Sequence, residues 1–300
     1  MFIPLLYLPK RYKSTPHTNN IQKGGRITNI DTFYTSCKLK KRDSDAIWTI
    51  DTTIQDASNA SDGFAFVGLS KLLEEPVIVK ILINNIRGKR ERNIQRLFIE
   101  YPHRNIVQGI CDLTCLDKEF RWLKPVKNQQ VCTKDGNTEF IVIIQEFIRN
   151  GDLSNMEPWT TQNWISVTLQ LTFCVIELFN KFGFIYEDWK LRNILWDTTS
   201  DEEFVYRAYR KSWTVKTYGI RPVFTDFARS DILMTKKQDW HLAVQLSLVF
   251  DMMAYKCPNK RLQSATEKMA YQIEKRESIG EILDHVEYIY VLLTDYKYIL

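Results

Sequence analysis

In residues 184–197, FIYEDWKLRNILWD, three polar side chains stand at spacings that could do chemistry: Asp188, Lys190 two positions on and Asn193 five positions on. An apolar, strand-like run leads in and a second β-prone run begins at Ile194, so the three would share a short loop between strands. A carboxylate can orient a hydroxyl, an ammonium can neutralise a phosphate oxygen, and a carboxamide can hold a metal ion. Together these are the needs of phosphoryl transfer. An Asp followed five residues later by an Asn also arises by chance, so the reading depends on what surrounds the loop.

The elements that must position this loop are legible as hydrophobic periods. Residues 46–54, 63–70 and 76–83 read as three β-strands, the first two joined by a polar turn. The third, ending VIVKIL, carries Lys80 inside a β-branched run. An ammonium there is costly to bury unless a counter-charge or a phosphate meets it, or it snorkels to water at the strand end. Residues 88–101 place Ile94, Leu97, Phe98 and Tyr101 at helical spacing, and Glu91 lies on the same segment. A buried-type strand follows over 138–144, then a long apolar helix over 164–182 that delivers the chain to Asp188. Residues 219–224 return as a strand into Thr225-Asp226-Phe227-Ala228. A buried helix over 242–253 and two or three more helices over 260–300 complete the pattern.

Composition bounds the remaining options. A chain of 300 residues with 44% hydrophobic and 26% charged content can bury a large core. The net charge of +5 suits a phosphate ligand or an acidic partner, and is too small to argue for nucleic acid. The six cysteines include no C-x-x-C pair, and the four histidines stand far apart, which speaks against zinc and for reduced thiols in a cytoplasmic compartment. The opening MFIPLLYLP is apolar for only nine residues and is broken by Pro4 and Pro9. It reads as neither a signal peptide nor a membrane span. Residues 1–45 are expected to form an extended arm packed on the domain, with a docking peptide around Lys10 and Lys13 as the alternative. Residues 198–218, rich in Tyr and Arg, are expected to be a solvated loop or an extra hairpin, with a partner-binding segment as the other choice.

Taken together, these segments resemble the protein kinases. EDWKLRN is similar to the family's catalytic loop, with Tyr186 and Glu187 where His and Arg stand. In that resemblance Lys80 is the strand lysine that contacts the α- and β-phosphates, and Glu91 is its partner on the helix. Val67 falls on the valine after the glycine-rich loop, which puts Ala60, Asp62 and Ala65 at the glycine positions. PHRNIV resembles the H-P-N-I-V that ends the helix. QEFIRNGDL resembles the hinge between lobes: Gln145 would be the gatekeeper, the backbone of Glu146 and Ile148 would hold adenine, and Asp152 would face the ribose. TDFA resembles D-F-G, so Asp226, with Asn193, would chelate Mg²⁺. DWHLAV resembles the start of the helix that anchors the catalytic loop.

The resemblance implies an α+β, two-lobed protein kinase-like fold. Its N-lobe would be an antiparallel sheet over 46–147, and its C-lobe a mainly helical, reduced body over 148–300. It implies a phosphotransferase using ATP and Mg²⁺, with a protein substrate or protein partner. Lys190 points to the serine/threonine type. Several departures point elsewhere: the glycine-rich loop has lost its glycines, Glu187 replaces the arginine, Ala228 replaces a glycine, and only thirteen residues separate Asp226 from Asp239. A pseudokinase scaffold and a small-molecule phosphotransferase therefore stand as alternatives.

Overall fold

The computed structural model describes residues 48–53, 63–70, 75–116, 139–233 and 238–295. The expected arm over 1–45 and the turn positions Ala60 and Asp62 lie outside these. The architecture is α+β. Strands β1 (Trp48–Thr53), β2 (Gly63–Ser70), β3 (Glu75–Ile83), β4 (Gly109–Leu116) and β5 (Glu139–Glu146) form one antiparallel sheet in the order β1-β2-β3-β5-β4. The β-branched runs at 77–79 and 141–144 explain the interior strands, since both faces of β5 are covered and its residues 140–146 are all buried.

Helix α1 (Ile86–Glu100) starts only two residues after β3 and packs on β4 and β5. Asn85 caps it, its side chain accepting from the N–H groups of Arg87 and Gly88, each at 2.9 Å. Such an abrupt strand-to-helix turn requires a glycine. A Cβ on Gly88 would lie 2.3 Å from the Ile83 carbonyl oxygen.

The helical body centres on α2 (Thr161–Phe182), capped by Thr160 at one end and by Gly183, at φ 67°, at the other. Short strands β6 (Phe184–Ile185), β7 (Ile194–Thr198), β10 (Ile220–Phe224) and β11 (Asp231–Ile232) lie after it, with a 3₁₀ turn over Leu191–Asn193. β7 pairs with β10 and β6 with β11, both antiparallel. Helices α3 (Asp239–Ala254), α4 (Lys260–Glu274) and α5 (Ile279–Thr294) follow, α5 opening on a capping box between Ser278 and Glu281. The main core cluster runs from Ile94 and Phe98 of α1, through Leu171, Phe173 and Phe179 of α2, to Ile282 and Ile289 of α5, and Leu82, Ile141 and Ile143 form a smaller one on the sheet. α2 is the one described helix long and apolar enough to cross a membrane, and 72% of its apolar window is buried inside this fold. Its apolar faces are thus already matched by protein.

The insertion is not a solvated loop. Strands β8 (Glu203–Ala208) and β9 (Lys211–Lys216) form a hairpin whose alternate residues Phe204, Tyr206, Ala208, Trp213 and Val215 are buried against α2. Phe173 and Trp213 stack with ring centroids 4.8 Å apart. Of the two expected forms for 198–218 the extra hairpin is the one found, and the period of two along YRA and SWT carries it.

Candidate functional site

The β7–β10 register sets the site. Ile194 pairs with Phe224, so Asn193 lies opposite Thr225, the residue before Asp226, on adjoining segments. The Thr225 N–H donates to the Asn193 carbonyl at 3.2 Å. Asp188, in the loop between β6 and the 3₁₀ turn, is held from both sides. The Asn193 Nδ2 donates to its Oδ2 at 2.8 Å and to its backbone carbonyl at 3.0 Å. Lys190 Nζ is 2.6 Å from its Oδ1, and Arg229 Nη1 is 3.6 Å from the same atom. Burial pushes the Asp188 carboxyl up, but the bonds from Lys190 and Asn193, aided by the charges of Lys190 and Arg229, bring it down overall, so it is ionised at neutral pH. The loop at 188–193 thus forms the cluster its spacing suggested.

On the sheet, Lys80 points to Glu91 of α1, with Nζ and Oε1 2.7 Å apart. Glu91 is buried, and the Lys80 side chain is 15% exposed. Burial disfavours the ammonium; the charges of Glu91 and then Asp226, with the Glu91 hydrogen bond, outweigh it and raise the Lys80 pKa. Lys80 therefore does not snorkel to water. It is held charged between two carboxylates from different parts of the chain. Burial first, and then the charges of Asp226, Asp188 and Glu91, push the Tyr186 phenol well up.

Tyr186 occupies the position expected for a histidine. It is fully buried, and its hydroxyl donates to the Thr225 carbonyl at 2.8 Å and lies 3.3 Å from the Asn193 carbonyl. Its ring meets Trp189, Phe224 and Phe227 edge-on. The catalytic-type loop and the Asp226 segment are therefore tied through one side chain. Asp226 itself has φ 60°, a left-handed conformation that an Asp tolerates better than most residues but that still costs energy.

The loop is anchored on α3, the helix that begins at Asp239. The Asp239 Oδ2 accepts from the Ile279 N–H at 2.9 Å, at the start of α5. Gln245, two turns further along α3, holds the loop. Its Oε1 accepts from the Tyr186 N–H at 2.8 Å and its Nε2 donates to the Phe184 carbonyl at 3.3 Å. A buried glutamine in an apolar helix is the signal that could have found it.

The connection around 145–153 is mixed. Gln145 is buried within β5, paired with Ile78 and Gly109. The Glu146 N–H is taken by the Gln108 carbonyl at 2.9 Å, and its carboxylate accepts from the Gln108 N–H at 2.7 Å. Ile148 is buried, and its N–H has no hydrogen-bond partner among the described residues. The Asp152 carboxylate is taken up locally: Oδ1 accepts from the Ser154 N–H at 2.9 Å and from the Ser154 hydroxyl, and Oδ2 accepts from Asn155 Nδ2 at 3.1 Å. It closes the turn over 152–155. Val67, half-buried on β2, pairs with Ile78, and Ala65 pairs with Lys80.

Sequence reasoning missed Arg221. From β10 its Nη2 reaches Asp197 at 3.0 Å and Glu146 at 4.0 Å, while Nη1 donates to the Arg104 carbonyl at 3.0 Å. Only 6% of its side chain is exposed, so this cation locks the end of β5 to β7 and to the chain after α1. An arginine within a buried apolar strand, IRPVF, was the available sign that a carboxylate must face it.

Two side chains keep oxygens for a cation. The Asp226 carboxylate has no ion-pair or hydrogen-bond partner among the described residues, and Asn193 uses its Nδ2 on Asp188, which leaves its Oδ1. Among the described residues there is no group of three or more His, Cys, Asp or Glu that could hold a metal. One carboxylate and one amide oxygen fit Mg²⁺, which takes few protein ligands and completes its shell with water and phosphate. They would not suffice for an all-protein Ca²⁺ or Zn²⁺ site. No protein-family model matches the sequence, and no curated protein matches it either.

Proposed function

We propose that this chain is a Mg-ATP-dependent phosphotransferase with a two-lobed, protein kinase-like fold, and that it acts as a divergent serine/threonine kinase on a protein substrate in a reducing, cytoplasmic setting. The observation that carries the reading is Lys80: a largely buried ammonium paired with Glu91 at 2.7 Å and stabilised further by the charge of Asp226. A cation held so, beside a carboxylate left without a partner, suits a phosphate chain bridged by a hard cation. The orphan N–H of Ile148 offers a donor for adenine.

In this reading Lys80 binds the α- and β-phosphates, while Asp226 and Asn193 hold Mg²⁺. The bound Mg²⁺ would neutralise charge on the β- and γ-phosphates. Asp188 accepts a hydrogen bond from the acceptor hydroxyl and points its oxygen at the γ-phosphorus. The new bond forms from that oxygen to phosphorus, the bond to the β–γ bridging oxygen breaks, and the proton passes to Asp188 and then to water. ADP leaves carrying the bond's electron pair. Lys190 offsets the charge on the transferred group.

A second reading, a kinase-like binding scaffold, has Asp152 in its favour, because both carboxylate oxygens are occupied by the 152–155 turn. The test separates the two. Millimolar Mg-ATP should raise Tm, by an amount set by ligand linkage: about 2.7 kcal/mol of added stability at a hundred times Kd. Asp226→Ala should remove most of that shift, and Asp188→Asn should keep it while abolishing phosphate transfer. A wild-type shift without transfer to any acceptor selects the scaffold. No shift at all overturns nucleotide binding.

A further inference from the structure

The two oxygens of Asp188 face different company. Oδ2 meets Asn193, on the side given above to the metal, whereas Oδ1 meets Lys190 and Arg229. In the proposed reaction Lys190 serves the transferred phosphate, which leaves Arg229 without a task. Its side chain is 55% exposed. Among the described residues its one ion-pair partner, the Asp188 Oδ1 3.6 Å away, is beyond hydrogen-bond length, and Arg229 makes no hydrogen bond. A guanidinium offers five N–H donors in a planar fork that matches a carboxylate or a phosphoryl group. Arg192, exposed on the 3₁₀ turn, adds a further cation to the same loop. A neutral acceptor would leave this fork empty beside the base, while a basic acceptor would be repelled by it.

We propose that Arg229 selects acceptor peptides carrying an anionic side chain immediately beside the accepting serine or threonine. The anion fills the fork of Arg229 while the hydroxyl reaches Asp188. This rests on the phosphotransferase reading and names the substrate class of the same site. The anion can be a carboxylate or a phosphoryl group, since both match the guanidinium.

The experiment measures kcat/KM for serine peptides of otherwise constant sequence whose neighbouring residue is Gln, Glu, phosphoserine or Lys. Wild type should prefer Glu over Gln by about tenfold, the size of one charge-assisted hydrogen bond in a half-exposed site. It should prefer phosphoserine over Glu if the phosphoryl group is the natural anion, and Glu at least equally if the carboxylate is. Arg229→Gln should bring the Glu/Gln ratio close to one, and Arg229→Glu should turn the preference toward the Lys peptide. A ratio that survives in Arg229→Gln, or one that is already near one in wild type, overturns the assignment. Absence of transfer to every peptide, with Mg-ATP still raising Tm, overturns the phosphotransferase reading and this one with it. Equal transfer to all four peptides sinks this one alone.

Discussion

The Tyr186 hydroxyl and the Thr225 carbonyl are joined at 2.8 Å across the gap between the Asp188 loop and the Asp226 segment. Thr225 is buried, and the residue after it holds a left-handed backbone, so this bond steadies a strained turn. Tyr186→Phe keeps the ring packing and leaves a buried acceptor one donor short. It should cost about 1–3 kcal/mol in urea unfolding and weaken the Mg-ATP-linked Tm shift. A variant with wild-type stability and an unchanged shift would show that the bond positions nothing.

The Lys80–Glu91 pair invites a double-mutant cycle. Removing Glu91 alone leaves an ammonium buried with only Asp226 near it, and Glu91→Leu should destabilise by about 3 kcal/mol. Lys80→Met removes the cation that Glu91 meets at 2.7 Å and should also destabilise. The double variant should lose clearly less than the two single losses added, measured by denaturant midpoints. Strict additivity would mean the pair does not interact in solution.

Tyr206 binds the hairpin to the rest of the fold. Its hydroxyl donates to the Asn105 Oδ1 at 2.8 Å, and the Asn105 Nδ2 donates to the Pro222 carbonyl at 2.8 Å, all of it buried. Tyr206→Phe should therefore cost about 1–3 kcal/mol, an effect that a loop lying in solvent would not give. Hydrogen exchange should also find the β8–β9 amides protected at a level near that of α2.

His103 supplies a pH dependence. Its Nδ1 accepts from the Asn105 N–H at 3.2 Å, which requires that nitrogen unprotonated. Burial lowers its pKa, and the nearby Glu177 carboxylate only partly opposes this. A lowered folded-state pKa means that the unfolded chain takes up the proton first. The stabilisation is complete above the ordinary imidazole value of about 6.5 and is lost as pH falls through the folded-state value. Tm should drop on acidification from neutrality, and His103→Gln should flatten that slope. His285, lowered chiefly by burial and further by Arg276, contributes with the same sign and leaves a residual slope.

Much of the local structure was legible in advance. The β-branched runs marked β3 and β5, the apolar period marked α2, and the elements containing Asp188 and Asp226 lay where predicted to within a few residues. Glu91 was the expected partner of Lys80, and the two do meet. The Asp152 carboxylate closes the turn after β5, a local use that spacing alone cannot tell from a ligand contact.

The amino-acid order by itself determined which segments become strands and helices and which polar side chains enter the Asp188 loop, because propensity and hydrophobic period act over a few neighbouring residues. Only the tertiary structure decided that Gln245 is the α3 residue that carries the loop, that Arg221 joins Glu146 to Asp197, and that Arg229 stands beside Asp188. Those partners lie between 24 and 75 positions apart along the chain, with the loop anchor spanning 59. For the most distant of them, meeting depends on strand register and helix packing, which are set by burying the core as a whole.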